Sequence, residues 1–204
     1  MTGQRPPMSQ AASEEALRAV TIGELAVLGG PVTLADYDPA WPTLFEREAT
    51  RIRSILGDRV RLLEHVGSTS VPGLPAKPII DVVLAVPDSS DEAAYVPPME
   101  AAGYVLRIRE PEWFEHRLFK GPDTSVNVHV FTEGSSEIRR MVAFRDWLRM
   151  HDDERRLYER TKRELAARDW KYVQHYADAK TDVVEAIIAR ALADAATRPE
   201  CSAT

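Results

Sequence analysis

His65-Val66-Gly67-Ser68-Thr69-Ser70-Val71-Pro72-Gly73-Leu74-Pro75-Ala76-Lys77-Pro78-Ile79-Ile80-Asp81-Val82-Val83-Leu84-Ala85-Val86 starts in an apolar run, crosses a loop of Gly, Ser, Thr and Pro, and returns to branched aliphatics. The pattern predicts a strand, a glycine-containing turn and a second strand with a carboxylate, Asp81, at its mouth. Gly67 permits a positive φ or a close backbone approach, and the hydroxyls of Ser68, Thr69 and Ser70 leave N–H and O–H donors uncovered. Such a loop can hold an anion. On a strand, alternate residues share a face, so Asp81 projects with Val83 and away from Ile80, Val82 and Leu84. A carboxylate there either binds a metal or meets a cation; the plainer alternative is a proline-stiffened hairpin loop with a surface Asp. Neither GxxxxGK[ST] nor a helix-opening GxGxxG is present, so a P-loop and a dinucleotide fingerprint are excluded.

The segment Trp113–Lys120 alternates, as does Ser125–Phe131, and Gly121-Pro122-Asp123-Thr124 between them supplies a turn, which predicts a hairpin. Val126, Val128 and Val130 then share one face, leaving Asn127 and His129 on the other. His129 is either a satisfied structural histidine or a site residue. A helix expected over 91–102, between strands, implies a crossover connection and a mixed sheet.

Upstream, residues 1–30 read as a polar, disordered start followed by a loosely attached helix within 16–28, ending at Gly29-Gly30-Pro31. A short strand is expected over 31–35. Asp38 is the expected cap of a helix that begins at Pro39 and runs to Leu56. Tyr37 and Trp41 read as core residues. Downstream, a helix over 137–151 places Arg145 within its apolar face beside Arg149, and its partner is either an internal carboxylate or a bound anion; Asp146 points elsewhere. A third helix spans 152–168 with Tyr158 and Lys162 one turn apart, and Lys162 reads as snorkelling. A last helix over 175–193 carries Lys180 in its apolar face.

The run HVGSTSVPGLPAKPIID resembles the signature of the GrpB family, which belongs to the nucleotidyltransferase superfamily. Similar blocks extend the match over 32–188: the Tyr37-Asp38-Pro39…Trp41 opening, Phe144-Arg145-Asp146-Trp147-Leu148-Arg149, Tyr158…Lys162 and Tyr176…Lys180. The resemblance implies an α/β (α+β) fold with a nucleotidyltransferase-like mixed sheet, flanking helices and a C-terminal helical subdomain. The expected divisions are an extension at 1–30, a core at 31–134, the helical subdomain at 135–195 and a tail at 196–204. The superfamily pairs Gly-Ser with an Asp-hydrophobic-Asp/Glu strand. Here Gly67-Ser68 and Asp81 fit, but Val83 stands where the second carboxylate belongs. The family also occurs fused behind dephospho-CoA kinase.

The resemblance implies a metal-dependent nucleotidyltransferase that moves a nucleotidyl group from a nucleoside triphosphate to an acceptor. Asp81, His129 and Lys77 would be catalytic. Asp81, Asn127 and His129 would hold a divalent metal, Mg or Mn, with Zn possible through the imidazole. Gly67, Ser68, Thr69, Ser70, Lys77, Arg117, Arg145 and Lys180 would bind phosphates. Two rival readings stay open: a nucleotide- or phosphometabolite-binding module with a degenerate metal site, and an interaction protein that docks through its helical half.

At 204 residues, 44% hydrophobic and 28% charged, the chain has an ordinary globular composition that can bury a core. The net charge of −6 argues against bulk nucleic-acid coating, although residues 136–180 carry a small excess of cations. No apolar run nears the roughly 20 residues of a membrane span. Residues 1–10 lack the apolar core of a secretory signal, and the single Cys201 has no internal partner, so a reducing cytoplasm is the expected compartment.

Overall fold

The computed structural model describes residues 12–197, so the polar start at 1–11, the end of the tail at 198–204 and Cys201 lie outside the described residues. The first elements are helix Glu14–Val20 (α1), strand Val27–Gly30 (β1) and helix Trp41–Leu56 (α2). Strands Leu62–Val66 (β2) and Ile80–Val86 (β3) follow and pair antiparallel, with Val66 opposite Asp81 and Glu64 opposite Val83. After β3 come helix Glu92–Ala101 (α3) and strands Val105–Glu110 (β4), His116–Lys120 (β5) and Val126–Thr132 (β6). The expected hairpin is present: β5 pairs antiparallel with β6, placing Lys120 opposite Asn127 and Leu118 opposite His129.

The five strands order as β2-β3-β6-β5-β4, and only β3 and β6 run parallel. Joining two parallel strands requires a long crossover, here supplied by α3, β4 and β5. The parallel register sets Asp81 beside Asn127 and Val83 beside His129. Both faces of the sheet are covered, which explains the unbroken apolar run of β3. Val82, Leu84, Val128, Val130 and Phe119 pack against α2 and α3 in the main core. On the opposite face, Val66, Val83, Ala85 and Phe131 meet Ile138 and its neighbours Met141 and Val142 from helix Ser136–Met150 (α4).

The remainder is helix Asp152–Ala166 (α5), strand Trp170–Tyr172 (β7), helix Val173–Asp178 (α6) and helix Thr181–Thr197 (α7). The single helix expected over 175–193 is broken at Ala179 and Lys180. Helices α4, α5 and α7 share a core with Val71 and Leu74, so the loop after Gly67 is plugged into the helical half. No helix among the described residues is long and apolar enough to cross a membrane.

Three local expectations are corrected. Residues 31–35 form no strand beyond one bridge from Ala35 to Ala76, because the strand lies earlier, at β1. Helix α2 begins at Trp41 rather than Pro39: the Asp38 carboxylate accepts from the Ala40 N–H at 2.8 Å and caps the preceding turn, while Pro42 occupies the first helical turn, where its missing N–H costs nothing. The described part of the N-terminal segment, 12–30, is tied down rather than loose. Ser13 caps α1 by accepting from Ala16 N–H at 3.1 Å, Ile22 N–H donates to Arg107 O at 2.8 Å, and β1 pairs with β7.

Glu48 is the most deeply buried acid among the described residues and must be satisfied internally. It is fully buried and accepts from Tyr104 Oη at 2.6 Å and Thr124 Oγ1 at 2.7 Å, with Arg51 at 3.7 Å. Tyr104→Phe removes one donor and leaves the carboxylate undersatisfied. We expect a loss of about 1–3 kcal/mol, read as a lower urea midpoint at unchanged slope.

Candidate functional site

Gly67 adopts φ +69°, and a Cβ built there would collide with Asp81 Oδ2 and lie 3.0 Å from Asp81 Cβ. No other residue fits the backbone to the carboxylate this closely. The next three residues form one 3-10 turn whose hydroxyls have divided tasks. Ser70 Oγ donates to Gly67 O at 2.6 Å, and Thr69 Oγ1 donates to Ile79 O at 3.1 Å. Arg149 Nη2 donates to Ser70 O at 2.8 Å and holds the turn from α4. Ser68 Oγ, by contrast, accepts from Lys162 Nζ at 3.1 Å. The expectation that all three hydroxyls face a phosphate is thereby corrected: Thr69 and Ser70 knit the loop, and Ser68 ties it to Lys162 and Tyr158 of α5.

His65 explains how the turn is backed. Its ring is buried, stacks on Phe45 with centroids 4.9 Å apart, and places Nε2 3.1 Å from Thr69 Oγ1. Because the Thr69 hydroxyl hydrogen goes to Ile79 O, Nε2 must carry the proton of a neutral ring. Burial pushes the imidazole down to about 4, against the pull of Asp81.

Asp81, Asn127 and His129 are brought together, as alternation and parallel register require. Asn127 Nδ2 donates to Asp81 Oδ1 at 2.7 Å, and His129 Nε2 lies 3.9 Å from the same oxygen. Burial pushes the Asp81 carboxyl up, but His129, Asn127 and the Lys180 charge outweigh it and hold it below the usual range. The set does not suit a resident divalent ion. The Asn127 carbonyl oxygen accepts from the Lys120 ammonium, Val83 is buried in apolar packing, and no group of three or more His, Cys, Asp or Glu with metal-holding geometry occurs among the described residues.

Cations occupy the place instead. Lys180, at the joint of α6 and α7, has Nζ 4.4 Å above the Tyr176 ring, and burial pushes it down to about 8 against the pull of Asp81. Lys162 on α5 is 2% exposed; besides Ser68 it donates to Pro75 O, and it lies 4.9 Å from the centroid of the Tyr158 ring. Burial, then the Lys180 charge, push it down to about 7. Lys77 is lowered by burial and by Lys180, and Lys120 is lowered by burial, while Asp81 opposes both shifts. Three of the five lysines in the chain therefore gather around Asp81, and a fourth, Lys162, adjoins Lys180. Reading Lys162 as snorkelling is corrected by its burial. Lys120 escaped the sequence reading, although its pairing with Asn127 follows from the hairpin register.

Two expected phosphate ligands stand elsewhere. Arg117 pairs across the sheet with Val130, on the face covered by α2 and α3, where Nε donates to Glu92 at 2.6 Å and Nη2 to Glu115 at 3.2 Å. Arg145 does point inward, but its Nη1 donates to Glu64 at 2.7 Å and its Nε to Asp146 at 2.7 Å. The sequence neighbour thought to point away bends back to it. A cavity of about 550 Å³ beside Leu56, Asp58 and Pro87 gathers no comparable set of groups.

Residues 31–190 match the family model described as GrpB protein. A UPF0157 protein of Halalkalibacterium halodurans is 58% identical over 191 residues, covering 91% of this chain and 98% of the relative. The crystal structure of a conserved protein GrpB from Enterococcus faecalis is similar at a TM-score of 0.70 and 31% identity, over 80% of this chain and 99% of the other. A dephospho-CoA kinase of Mycolicibacterium paratuberculosis is 29% identical over 164 residues, spanning 68% of this chain and 40% of that protein.

Two outcomes follow from this geometry. Gly67→Ala should destabilise the fold by about 1–3 kcal/mol through strain and collision, and chemical denaturation of Gly67→Ala alone and with Asp81→Gly should show part of the loss recovered in the pair. For His65, the folded value lies below the unfolded one, so the unfolded chain takes up the proton first. Stability should fall as pH drops from roughly 6.5 to about 4, and thermal scans of His65→Gln should show that decline flattened.

Proposed function

Because the chain belongs to the GrpB family, we propose that it binds a phosphorylated small molecule of the nucleotide class in the crevice between the Gly67 loop, the Asp81 strand and helices α5 and α6. The observation that carries this reading is the gathering of Lys77, Lys120 and Lys180 around Asp81, with Lys162 beside Lys180 and Ser68. Elsewhere the protein pairs its buried cations with acids, as Arg117 with Glu92 and Arg145 with Glu64. None of the four crevice lysines has an ion pair among the described residues, and mutually repelling, partly desolvated ammoniums are held at a cost. A phosphate group would relieve that cost, with Ser68 Oγ beside it. The relative named dephospho-CoA kinase agrees with a nucleotide ligand.

Nucleotidyl transfer is the second reading, favoured by His129 Nε2 standing 3.9 Å from Asp81. In that reaction an acceptor oxygen would bond to the α-phosphorus, the bond to the bridging oxygen would break, pyrophosphate would leave, and His129 would take the acceptor proton. The lysines would neutralise the phosphates.

Calorimetry with tripolyphosphate and with ATP, in chelator and then in Mg²⁺ or Mn²⁺, separates these readings. Binding in chelator supports the module, and metal-dependent pyrophosphate release supports transfer. Lys162→Met and Lys180→Met should each weaken tripolyphosphate about tenfold, the scale of one charge-assisted hydrogen bond. Absence of binding, or binding indifferent to both substitutions, refutes the proposal. A bound phosphate favours the ammonium forms and raises their pKa values, so binding takes up protons. Affinity should therefore fall as pH rises through about 7 for Lys162 and about 8 for Lys180. Titrations in buffers of different ionisation enthalpy check the proton uptake.

A further inference from the structure

Tyr158, Lys162 and the pair Leu165-Ala166 recur one turn apart along α5, and all of them are buried, Tyr158 to 4% exposure and Lys162 to 2%. Tyr176 of α6 packs with Leu165 and Ala166 on that face and is itself 2% exposed. Each tyrosine lies beneath an ammonium: Lys162 Nζ is 4.9 Å from the centroid of the Tyr158 ring, and Lys180 Nζ is 4.4 Å from that of Tyr176. Their hydroxyls differ in one respect. Tyr158 shares a hydrogen bond with Ser68, whereas Tyr176 Oη is buried without a hydrogen-bond partner among the described residues. Leaving a buried hydroxyl unbonded is costly, and folded proteins rarely do so without a use for it.

Both phenols keep their protons. Burial pushes Tyr158 up to about 12 and pushes Tyr176 up as well, with the neighbouring Tyr158 adding to the rise at Tyr176. Ser68, Tyr158 and Tyr176 therefore bring three hydroxyl hydrogens to this end of the crevice. Lys162 donates to Ser68 and so takes none of them, the bond between Ser68 and Tyr158 uses one, and two are left beside two ammonium groups. Asp81 already accepts from Asn127 and His129. Donors outnumber acceptors here, which is the condition of an anion site.

We infer that Tyr176 Oη, together with Tyr158, Ser68, Lys162 and Lys180, forms a closed pocket for a terminal phosphoryl group, so that the ligand is a phosphomonoester or a polyphosphate with a free end, and not a phosphodiester. The inference rests on the phosphate-binding reading and adds to it which end of the ligand is held and by what. A terminal group offers three oxygens to donors on several sides and leaves the pocket through a single ester bond. A diester phosphorus needs two ways out, and the Tyr176 side is walled by Val32, Leu165, Ala166 and Trp170.

Tyr176→Phe keeps the ring beneath Lys180 and removes only the hydroxyl, so thermal scans and calorimetry on this variant test the pocket. Without ligand it should melt at the same temperature as the unaltered protein or higher, because the lost group bonds nothing; a hydroxyl with a structural task would take stability with it. In chelator it should bind tripolyphosphate and ATP about tenfold more weakly, the scale of one hydrogen bond to a charged group. The γ-methyl ester of ATP, whose end is blocked, should bind the unaltered protein about tenfold more weakly than ATP does and lose nothing further in Tyr176→Phe. A lower melting temperature of the ligand-free variant, ATP binding indifferent to the substitution, or an ester that binds as well as ATP overturns the inference and leaves the phosphate-binding reading standing. No binding of any phosphate by the unaltered protein removes both.

Discussion

The site depends on a steric constraint between Gly67 and Asp81, which occupy a space too small for one additional carbon. The antiparallel pairing of Val66 with Asp81 brings the end of one strand against the start of the next, and the positive φ at Gly67 turns the chain away before it strikes the carboxylate. Asp81 is then directed past the turn toward Asn127. The loop that leaves this corner is fastened twice, by the Thr69 and Ser70 hydroxyls beneath it and by Val71 and Leu74 in the helical core. Ser68 joins the corner to Lys162 and Tyr158 of α5.

The division of cations in this protein is also informative. The guanidiniums of Arg117, Arg145 and Arg190 reach carboxylates in close pairs, the planar fork geometry suiting such fixed bonds. The lysines around Asp81 rest on softer support: the ring faces of Tyr158 and Tyr176, a hydroxyl and backbone or amide oxygens. Arginine builds the frame and lysine lines the crevice. An ammonium on a flexible stem can follow an incoming anion, whereas a guanidinium locked to an acid cannot.

Much of the architecture was legible because two-residue periodicity is a local property. Alternation in 125–131 assigned Asn127 and His129 to one face, and the same rule aimed Asp81 with Val83, so three site residues followed from strand geometry alone. The mixed sheet followed from the helix that separates the strands. What the sequence did not disclose depends on partners distant along the chain. Arg145 shows a cation in an apolar face, but only the packing of α4 on β2 reveals Glu64. His116 lies in an alternating run without distinction until the sheet order sets it beside His129. The break at Lys180 was invisible because the apolar pattern continues through it. In a chain this rich in arginine, the few lysines are the exceptional residues.

The pairing of β1 with β7 joins Val27 to Tyr172 and closes most of the polypeptide into one loop. Closing so large a loop is entropically slow, and contacts this distant in sequence form late. On a ribosome the sheet with Asp81, His129, Lys77 and Lys120 emerges complete while Lys162 and Lys180 are still unmade, so the carboxylate first meets only half of the ammonium groups that the folded chain gathers there.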